Sequence, residues 1–334
     1  MQSQGERSHR ANAARIVPRH APQRRFLSLI SFPGRVVSAD SGIRLFGAGD
    51  IRQLARRLGV RPTKRLGQNF VVEQGTVRQI AALAAPRSGD VILEVGPGLG
   101  SLTLALLEAM AETDARLIAV EIDPALAAEL PRTIADRAPA LADRVDVVAA
   151  DALKLDELAW APTVLAANLP YNVAVPVVLH LLAVFPSLAR GVIMVQAEVA
   201  DRMSAGPGSR VYGVPSAKLA WYARARAAGT VPRSVFWPVP NVDSKLVVFA
   251  RHDRPPTTAS REEVFAVIEA AFGQRRKTLR AALAAWADSA AAAESVLRQA
   301  LVAPDARGEE LGIAEFAAIA EARPPAHPDK VEES

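Results

Sequence analysis

The stretch Glu94-Val95-Gly96-Pro97-Gly98-Leu99-Gly100 decides the fold of this chain. A short β-branched run, Val91–Val95, leads into it, and a helical pattern, Leu102–Met110, follows it. Glycines between a strand and a helix permit a tight turn and let a ligand approach the backbone at the carboxyl end of the strand. The sequence therefore predicts a strand–turn–helix unit that presents its turn to a ligand.

Outward from this turn, short β-branched runs alternate with helical patterns. This alternation predicts an α/β domain with a mostly parallel sheet that helices cover on both faces. The expected strands are Val91–Val95, Leu117–Glu121, Val145–Val148, Val164–Ala167 and Gly191–Gln196, and the expected helices are Leu102–Met110, Pro124–Ala135 and Pro176–Phe185. Two later segments, Ala217–Ala225 and Ser244–Phe249, are expected to add antiparallel strands at one edge.

The two flanks of this core differ from it in composition. Residues 1–48 hold eight arginines against Glu6 and Asp40, a net charge of 8 − 2 = +6, and they show no sustained periodicity. We expect a basic, disordered extension there, with a twin-arginine export signal and an organelle transit peptide as the alternatives. Beyond the proline-containing stretch Arg251–Ser260 the patterns are Ala-rich and helical. The sequence thus predicts three parts: 1–48, 49–255 and 256–334.

Composition excludes several kinds of site. The formal net charge is +5, and because the extension carries +6, the rest of the chain carries 5 − 6 = −1. Only local clusters therefore indicate a polyanionic partner. The absence of cysteine and the five scattered histidines exclude thiolate chemistry and predict no metal site. The apolar run 161–185 is interrupted by polar residues and prolines, so no membrane span is expected.

Two acidic residues stand at the ends of the next strands. Glu121 lies 21 residues after Gly100, where one carboxylate can accept hydrogen bonds from two ribose hydroxyls. A nicotinamide-dependent dehydrogenase and an S-adenosylmethionine-dependent methyltransferase share these features. Asp151 ends the following strand, where an acid can accept from an adenine amino group or cap a loop. We therefore expect a nucleoside-containing ligand, with its class open at this point.

The segment Asn168-Leu169-Pro170-Tyr171 separates the two classes, and it ends the fourth strand in the same crevice. An exocyclic amine on adenine is a poor nucleophile because its lone pair is delocalised into the ring. The Asn168 side-chain oxygen and a backbone carbonyl beside Pro170 can accept both N–H groups and aim the lone pair at a methyl donor. Tyr171 can stack on the base. Phe236, in a Pro-rich loop, is expected to supply a second stacking face, although buried aromatics are common in such loops.

Two basic clusters have the charge density that phosphate contact requires. The first follows Asp50, which is expected to cap a helix, and it comprises Arg52, Arg56, Arg57, Arg61, Lys64 and Arg65. The second comprises Arg275, Arg276, Lys277 and Arg280. A solvated helix face is the alternative interpretation of each cluster.

Taken in order, these motifs resemble the ribosomal RNA adenine N6,N6-dimethyltransferases from about Asp50 to about Leu283. The motifs that carry the resemblance are Gly67-Gln68-Asn69-Phe70-Val71, Glu94–Gly100, Val120-Glu121-Ile122-Asp123, Asp151-Ala152-Leu153, Asn168–Asn172, Gln196–Ala200, Phe236–Ser244 and Phe272–Leu279. The resemblance implies a Rossmann-like methyltransferase domain at 49–255 with a mostly parallel sheet, and a small all-α, RNA-contacting domain at 256–334. It also implies a cytoplasmic enzyme that dimethylates the N6 amines of two adjacent adenosines in the 3′-terminal hairpin loop of 16S rRNA, late in small-subunit assembly.

The resemblance assigns roles to individual residues. S-adenosylmethionine would be bound by Gln68, Asn69, Val71, Gly96, Gly98, Glu121, Asp151 and Asn168. The target adenine would be held by Asn168, Leu169, Pro170, Tyr171 and Phe236. The 16S rRNA of the small subunit or its precursor would be contacted by Arg61, Lys64, Arg65, Arg275, Arg276, Lys277 and Arg280. No metal, membrane or obligate protein partner is implied, and a monomer suffices.

Several alternatives stay open. Macrolide-resistance enzymes of the wider family methylate 23S rRNA, and mitochondrial members act on organelle rRNA. A DNA adenine methyltransferase usually has proline where Leu169 stands, and a nicotinamide oxidoreductase leaves Asn168–Tyr171 without a role. A ribosome-assembly factor that methylates only incidentally is the alternative from another class.

Overall fold

The computed structural model describes residues 42–60 and 69–323. Most of the expected leader, 1–48, therefore lies outside the described residues, as do Arg61, Lys64, Arg65 and Gln68. All described residues belong to one unit, Ser41–Ser334. Among them, no helix is both long and apolar enough to cross a membrane.

Most of the strands form one central sheet. In chain order the strands are β1 Phe70–Val71, β2 Val91–Val95, β3 Arg116–Glu121, β4 Val145–Ala149, β5 Val164–Asn168, β6 Arg190–Gln196, β7 Ala223–Val231, β8 Phe236–Trp237 and β9 Ser244–Arg251. The main sheet has the order β4-β3-β2-β5-β6-β9-β7, and β1 pairs with β8 separately. Strands β2 to β6 run parallel, and β9 is antiparallel to both β6 and β7. The predicted parallel sheet with an antiparallel edge is confirmed.

Helices pack against both faces of this sheet. They are α1 Ala48–Arg57, α2 Gln74–Ala84, α3 Ser101–Met110, α4 Pro124–Arg137, α5 Ala174–Val184, α6 Ala197–Ser204, α7 Val214–Leu219, α8 Arg261–Gly273, α9 Leu279–Ala282, α10 Ala290–Gln299 and α11 Ile313–Glu321. One apolar core lies between the sheet and α1 to α4. A second core lies between the opposite face and a group that includes α5, α7 and the C-terminal helices.

Alternate residues of each central strand face the two cores. On β2, Leu93 belongs to the core of α5 and Ile92 to the core of α1 to α4. Because both faces are buried, these strands are almost continuously apolar, as expected for parallel strands in a two-sided sheet. Polar residues on them are exceptional. By the same alternation Glu94 (β2), Glu121 (β3) and Asn168 (β5) share the face of Ile92.

One expected strand, Ala217–Ala225, is wrong. Residues Val214–Leu219 form α7, and β7 begins only at Ala223. Pro215 lies in the first turn of α7, where its fixed φ and missing N–H suit a helix start. Trp221 and Tyr222, which follow this helix, pack in the core instead of forming a ladder.

Two expected helix boundaries are also wrong. Asp50 is not the N-cap of α1; it is the third helical residue, and its carboxylate accepts a hydrogen bond at 2.8 Å from the N–H of the N-cap residue, Gly47. A glycine has no side chain to cap with, so the acid in the first turn reaches back to it. The helix expected over Thr278–Ala287 spans only Leu279–Ala282. An Ala-rich pattern contains no end signal, so it overestimated the length.

Beyond Arg251, the described residues form helices and turns without a strand. Phe316 and Leu297 are buried in the same apolar core as Leu93 of β2. The helical character expected for the C-terminal segment is therefore confirmed. The division of the chain at residue 256 stays a prediction, because one core continues from the sheet into these helices.

We predict that Gly191→Ala destabilises the fold by about 2 kcal/mol, because the new methyl group has no space. Its Cβ would lie 2.5 Å from Cζ of Phe249 and 2.9 Å from Cβ of Leu165, both buried. Gly206→Ala is the matched control, since nothing lies within 4 Å of the position that its methyl group would take. Urea unfolding of both variants measures the difference. Equal stabilities would contradict the tight packing between β6 and β9.

Candidate active site

A cavity of about 250 Å³ opens at the carboxyl ends of β2, β3, β4 and β5. The carboxyl ends of neighbouring parallel strands meet at one edge of a sheet, which brings together segments that are distant in sequence. The predicted site residues that line this cavity are Asn69, Val71, Gly96, Gly98, Glu121, Asp151, Asn168, Leu169 and Pro170. Every described residue of the predicted cofactor set is among them.

The glycine turn after β2 forms one wall of the cavity. Gly96, Gly98 and Gly100 have φ values of 70°, 59° and 93°, in the left-handed region that favours glycine. A Cβ on Gly98 would also lie 3.0 Å from Cε1 of Phe70. The turn therefore needs glycine for its backbone conformation and for its packing, and it presents bare backbone to the cavity.

Glu121 is the last residue of β3 and is 5% exposed. One carboxylate oxygen accepts from the N–H of Gly98 at 2.9 Å, and the other accepts from the N–H of Asp123 at 3.0 Å. Burial raises the pKa of Glu121, while these backbone N–H groups oppose the shift. A carboxylate has about four acceptor positions. The carboxylate therefore keeps capacity to accept from the two hydroxyls of a ribose.

Asp151 lies on the cavity wall after β4, and it also caps its own turn. Its Oδ1 accepts from the N–H of Leu153 at 3.0 Å. Ile122 and Leu153 follow the two acids and line the same cavity, with 54% and 37% of their surfaces exposed. Exposed apolar side chains beside two acids suit a flat nucleoside base with polar edges. Neither residue was predicted from the sequence; the signal for them is an apolar residue one position after Glu121 and two positions after Asp151.

Asn168 ends β5, and its side-chain orientation is fixed by the residue just before β1. Its Nδ2 donates to the backbone carbonyl of Asn69 at 3.2 Å. A carbonyl only accepts, so the NH₂ group faces Asn69 and Oδ1 serves as an acceptor. The Pro170 carbonyl accepts from the N–H groups of Val173 and Ala174, at 3.2 and 3.0 Å, and is committed to the start of α5. Among the described residues, no backbone hydrogen bond to the neighbouring Leu169 carbonyl is present outside the strands and helices.

The two aromatic residues predicted to stack on a base lie in different environments. Tyr171 is 57% exposed, next to the cavity-lining Pro170 and Asn172. Phe236 is 3% exposed and is the partner of Val71 in the β1–β8 pair. Tyr171 is thus exposed beside the cavity without lining it, whereas Phe236 packs in the core. The role predicted for Phe236 requires its ring to leave that position.

The sequence of residues 60–322 matches the family model described as ribosomal RNA adenine dimethylase. The chain belongs to this family. A relative from Thermobifida fusca, named ribosomal RNA small subunit methyltransferase A, is 63% identical over 288 residues, which are 86% of this chain and 98% of the relative. A protein of the same name from Streptomyces coelicolor is 62% identical over 279 residues, 83% of this chain and 96% of the relative.

Two solved structures are similar in fold. A dimethyladenosine transferase from Plasmodium falciparum superimposes with a TM-score of 0.62 at 22% identity, covering 75% of this chain and 95% of that one. A 23S rRNA methyltransferase, ErmE, superimposes with a TM-score of 0.56 at 24% identity, covering 76% and 99%. At such identities the similarity shows the fold alone. The predicted Rossmann-like methyltransferase fold is confirmed.

The C-terminal basic cluster of this family member divides into two kinds of residue. Arg275 forms an ion pair with Glu309 at 2.9 Å and donates to the backbone carbonyl of Arg210. Arg280 forms an ion pair with Glu294, also at 2.9 Å. Arg276 and Lys277 are exposed between them. These two are the better placed for phosphate contact, because they need not first give up an acidic partner.

The N-terminal basic cluster is only partly described. Arg52 and Arg56 are exposed on α1, and Arg57 forms an ion pair with the buried carboxylate of Glu129 on α4. Arg61, Lys64, Arg65 and Gln68 lie outside the described residues. In residues 42–60 and 69–323, no group of three or more metal-ligating side chains comes together.

Glu94 lies behind the glycine turn and is fully buried. Its Oε2 accepts from the hydroxyl of Thr103 at 2.7 Å, and its Oε1 has no hydrogen-bond partner in residues 42–60 and 69–323. Burial raises the pKa of Glu94 to about 8; the Thr103 hydroxyl opposes the shift, and the nearby Glu121 carboxylate adds to it. Sequence analysis treated Glu94 only as part of the turn motif. A single acid in an otherwise apolar buried strand was the signal.

We predict that Glu94→Gln stabilises the ligand-free protein increasingly as pH rises. In the unfolded chain Glu94 ionises near 4.5, and in the folded protein near 8. Between these values only the folded state holds the proton, so raising the pH favours unfolding, whereas glutamine does not titrate. The stability gain should grow by at most ~1.4 kcal/mol per pH unit and level off above pH 8.

Urea unfolding of both proteins at several pH values between 5 and 9 checks this prediction. Thr103→Val is the companion variant, because it removes the hydroxyl that lowers the pKa of Glu94. The stability of this variant should therefore keep falling with pH beyond the pH at which the stability of wild type stops falling. A difference between Glu94→Gln and wild type that stays flat from pH 5 to 8 would contradict a buried neutral acid.

Proposed function

We propose that this chain uses S-adenosylmethionine to dimethylate the N6 amines of two adjacent adenosines in the 3′-terminal hairpin loop of 16S rRNA, late in small-subunit assembly. Membership in the ribosomal RNA adenine dimethylase family supports the reaction class. The relatives named ribosomal RNA small subunit methyltransferase A support the small subunit over 23S rRNA as substrate. The observation that carries the proposal is the fixed acceptor of Asn168 on the wall of the nucleoside-sized cavity.

The cavity residues fit the cofactor. The glycine turn offers backbone without side chains, Glu121 retains acceptor capacity for ribose hydroxyls, and Asp151 lies one strand further on for the adenine amino group. Ile122 and Leu153 supply apolar contacts for the adenine ring. When bound, S-adenosylmethionine supplies an electrophilic methyl group on a positively charged sulfur. No metal is needed for this chemistry.

The residues at the end of β5 would act by positioning. Oδ1 of Asn168 and the Leu169 carbonyl accept the two N–H groups of the target amine, which holds its lone pair perpendicular to those hydrogen bonds and toward the methyl donor. Tyr171 stacks on the extruded base. The amine proton leaves to water after methyl transfer, so no protein base is required. Catalysis then rests on orientation and on the exclusion of water from the cavity.

The wider setting follows from the substrate. We place the enzyme in the cytoplasm, where small subunits are assembled, and we propose that it acts as a monomer without an obligate protein partner. The cavity is complete within one chain, which supports this. The C-terminal helical segment, 256–334, and the basic residues before Asn69 would hold the RNA backbone while the loop bases enter the cavity.

We predict that Asn168→Ala lowers methylation of small subunits by at least about 100-fold and weakens S-adenosylmethionine binding by less than about tenfold. The variant removes an acceptor for the amine and leaves Glu121 and Asp151 in place. Single-turnover methylation and calorimetry measure the two quantities. Gln299→Ala, which removes an exposed amide on α10, is the control and should match wild type. Near-normal turnover of Asn168→Ala would contradict the assigned role.

We predict that the double variant Arg276→Ala and Lys277→Ala weakens small-subunit binding and makes it less salt-dependent. Each lost phosphate contact should reduce the magnitude of the negative slope of log affinity against log salt by about 1. Filter binding at several salt concentrations measures this slope. Arg132→Ala, which removes an exposed cation from α4, should leave the slope unchanged. A double variant with the wild-type slope would exclude these two residues from the RNA interface.

A further inference from the structure

The carboxyl group of Glu94 occupies a small apolar compartment behind the cavity wall. In the sheet register, Glu94 stands between Ala119 of β3 and Ala166 of β5, so only methyl groups flank it within the sheet. Helix α3 covers it, and the Thr103 hydroxyl on this helix donates a hydrogen bond to it. Among the residues that the structure describes, neither Oε1 of Glu94 nor the buried hydroxyl of Ser101, which lines the cavity, has a hydrogen-bond partner.

The charged neighbour of Glu94 is another acid. Glu121 lies on the adjacent strand and on the same face, and its carboxylate disfavours a charge on Glu94. Asp123 in turn acts on Glu121, and α3 faces Glu94 with the hydroxyl of Thr103. A glutamine would fill the same space without the cost of a buried acid beside another acid. The arrangement becomes favourable when a positive charge enters the adjoining cavity.

The proposed function supplies such a charge, and this inference rests on it. Transfer of the methyl group turns the sulfonium of the methyl donor into a neutral thioether, so the spent cofactor carries one positive charge fewer. A buried acid near the cavity therefore experiences a different field before and after the reaction. Val95 and Gly96, directly after Glu94, line the cavity, and Glu121 lines it from the next strand.

We propose that Glu94 is a charge-sensing residue that favours the cationic methyl donor over its neutral product. Glu94 releases its proton to solvent when the cationic cofactor is bound and takes a proton back when the neutral product replaces it. The ionised carboxylate attracts the sulfonium across the glycine turn, and the protonated carboxyl has no such attraction for the product. Glu94 thereby reduces product inhibition without touching the reacting atoms.

The sign of the pH dependence follows. A cationic ligand lowers the pKa of a nearby acid, so wild-type affinity for S-adenosylmethionine should rise with pH through the range near 8 in which free Glu94 titrates. Affinity for S-adenosylhomocysteine should not rise in this way. For each pKa unit by which the bound donor lowers the Glu94 pKa, the preference for donor over product should increase about tenfold between pH 6 and pH 9.

The test is calorimetry of the full chain with S-adenosylmethionine and with S-adenosylhomocysteine, in buffers of different ionisation enthalpy at pH 7.5. Wild type should release more protons than Glu94→Gln on binding the donor, and the two proteins should release equal numbers on binding the product. The amine of each ligand titrates in both proteins alike, so the difference between proteins isolates Glu94. Glu129→Gln, a buried acid on α4 outside this cavity, should behave as wild type.

Two results would overturn the inference. Equal proton release by wild type and Glu94→Gln with the donor would show that Glu94 does not change its ionisation. If the difference in proton release between wild type and Glu94→Gln is the same with both ligands, Glu94 responds to filling of the cavity and not to the charge of the ligand. Thr103→Val keeps the test decisive if Glu94→Gln folds poorly. This variant retains Glu94, and its proton release on binding the donor should occur at higher pH than that of wild type. A wild-type protein that binds neither ligand contradicts the proposed function instead.

Discussion

The candidate site depends on β2 being held between two parallel neighbours in one register. Glu94 of β2 pairs with Ala119 of β3 and with Ala166 of β5. Strand β3 ends two residues after Ala119, at Glu121, and β5 ends two residues after Ala166, at Asn168. A shift of one residue in either pairing would turn the polar side chain to the opposite face and bury it in the other core. Sheet register thus places the Glu121 carboxylate and the Asn168 amide on one wall of the cavity.

The burial that fixes the register also strengthens the electrostatic interactions of Glu94 and Glu121. Water is largely excluded from the side of the sheet that carries Glu94 and Glu121, so a few neighbouring groups control the ionisation of each acid. For Glu121 these are the N–H groups of Gly98 and Asp123, and for Glu94 it is the Thr103 hydroxyl. Because the carboxyl groups of Glu94 and Glu121 are buried, a cationic ligand would interact strongly with both of them. Binding and catalysis in this account use preformed acceptors and no covalent intermediate, which is consistent with a chain that has no cysteine.

Much of the fold and of the cavity wall was predictable because local rules and tertiary structure agree. Strand–helix alternation identified the parallel sheet, and acids or amides at strand ends identified Glu121, Asp151 and Asn168 as cavity residues. Periodicity failed at α7, where Pro215 starts a helix in a segment with strand-like composition. It also could not show that Phe236 is buried or that Arg275 and Arg280 have acidic partners, since these depend on segments far away in sequence. The charge state of Glu94 was equally hidden, because it arises from complete burial.

The most direct test is to incubate the purified chain and labelled S-adenosylmethionine, in separate reactions, with small ribosomal subunits that lack adenine dimethylation and with large subunits, and then to map the label by mass spectrometry of the digested rRNA. We expect dimethyladenosine at two adjacent positions in the 3′-terminal hairpin loop of 16S rRNA. Label on large-subunit rRNA alone, or no label on either subunit while the cofactor still binds, would contradict this expectation.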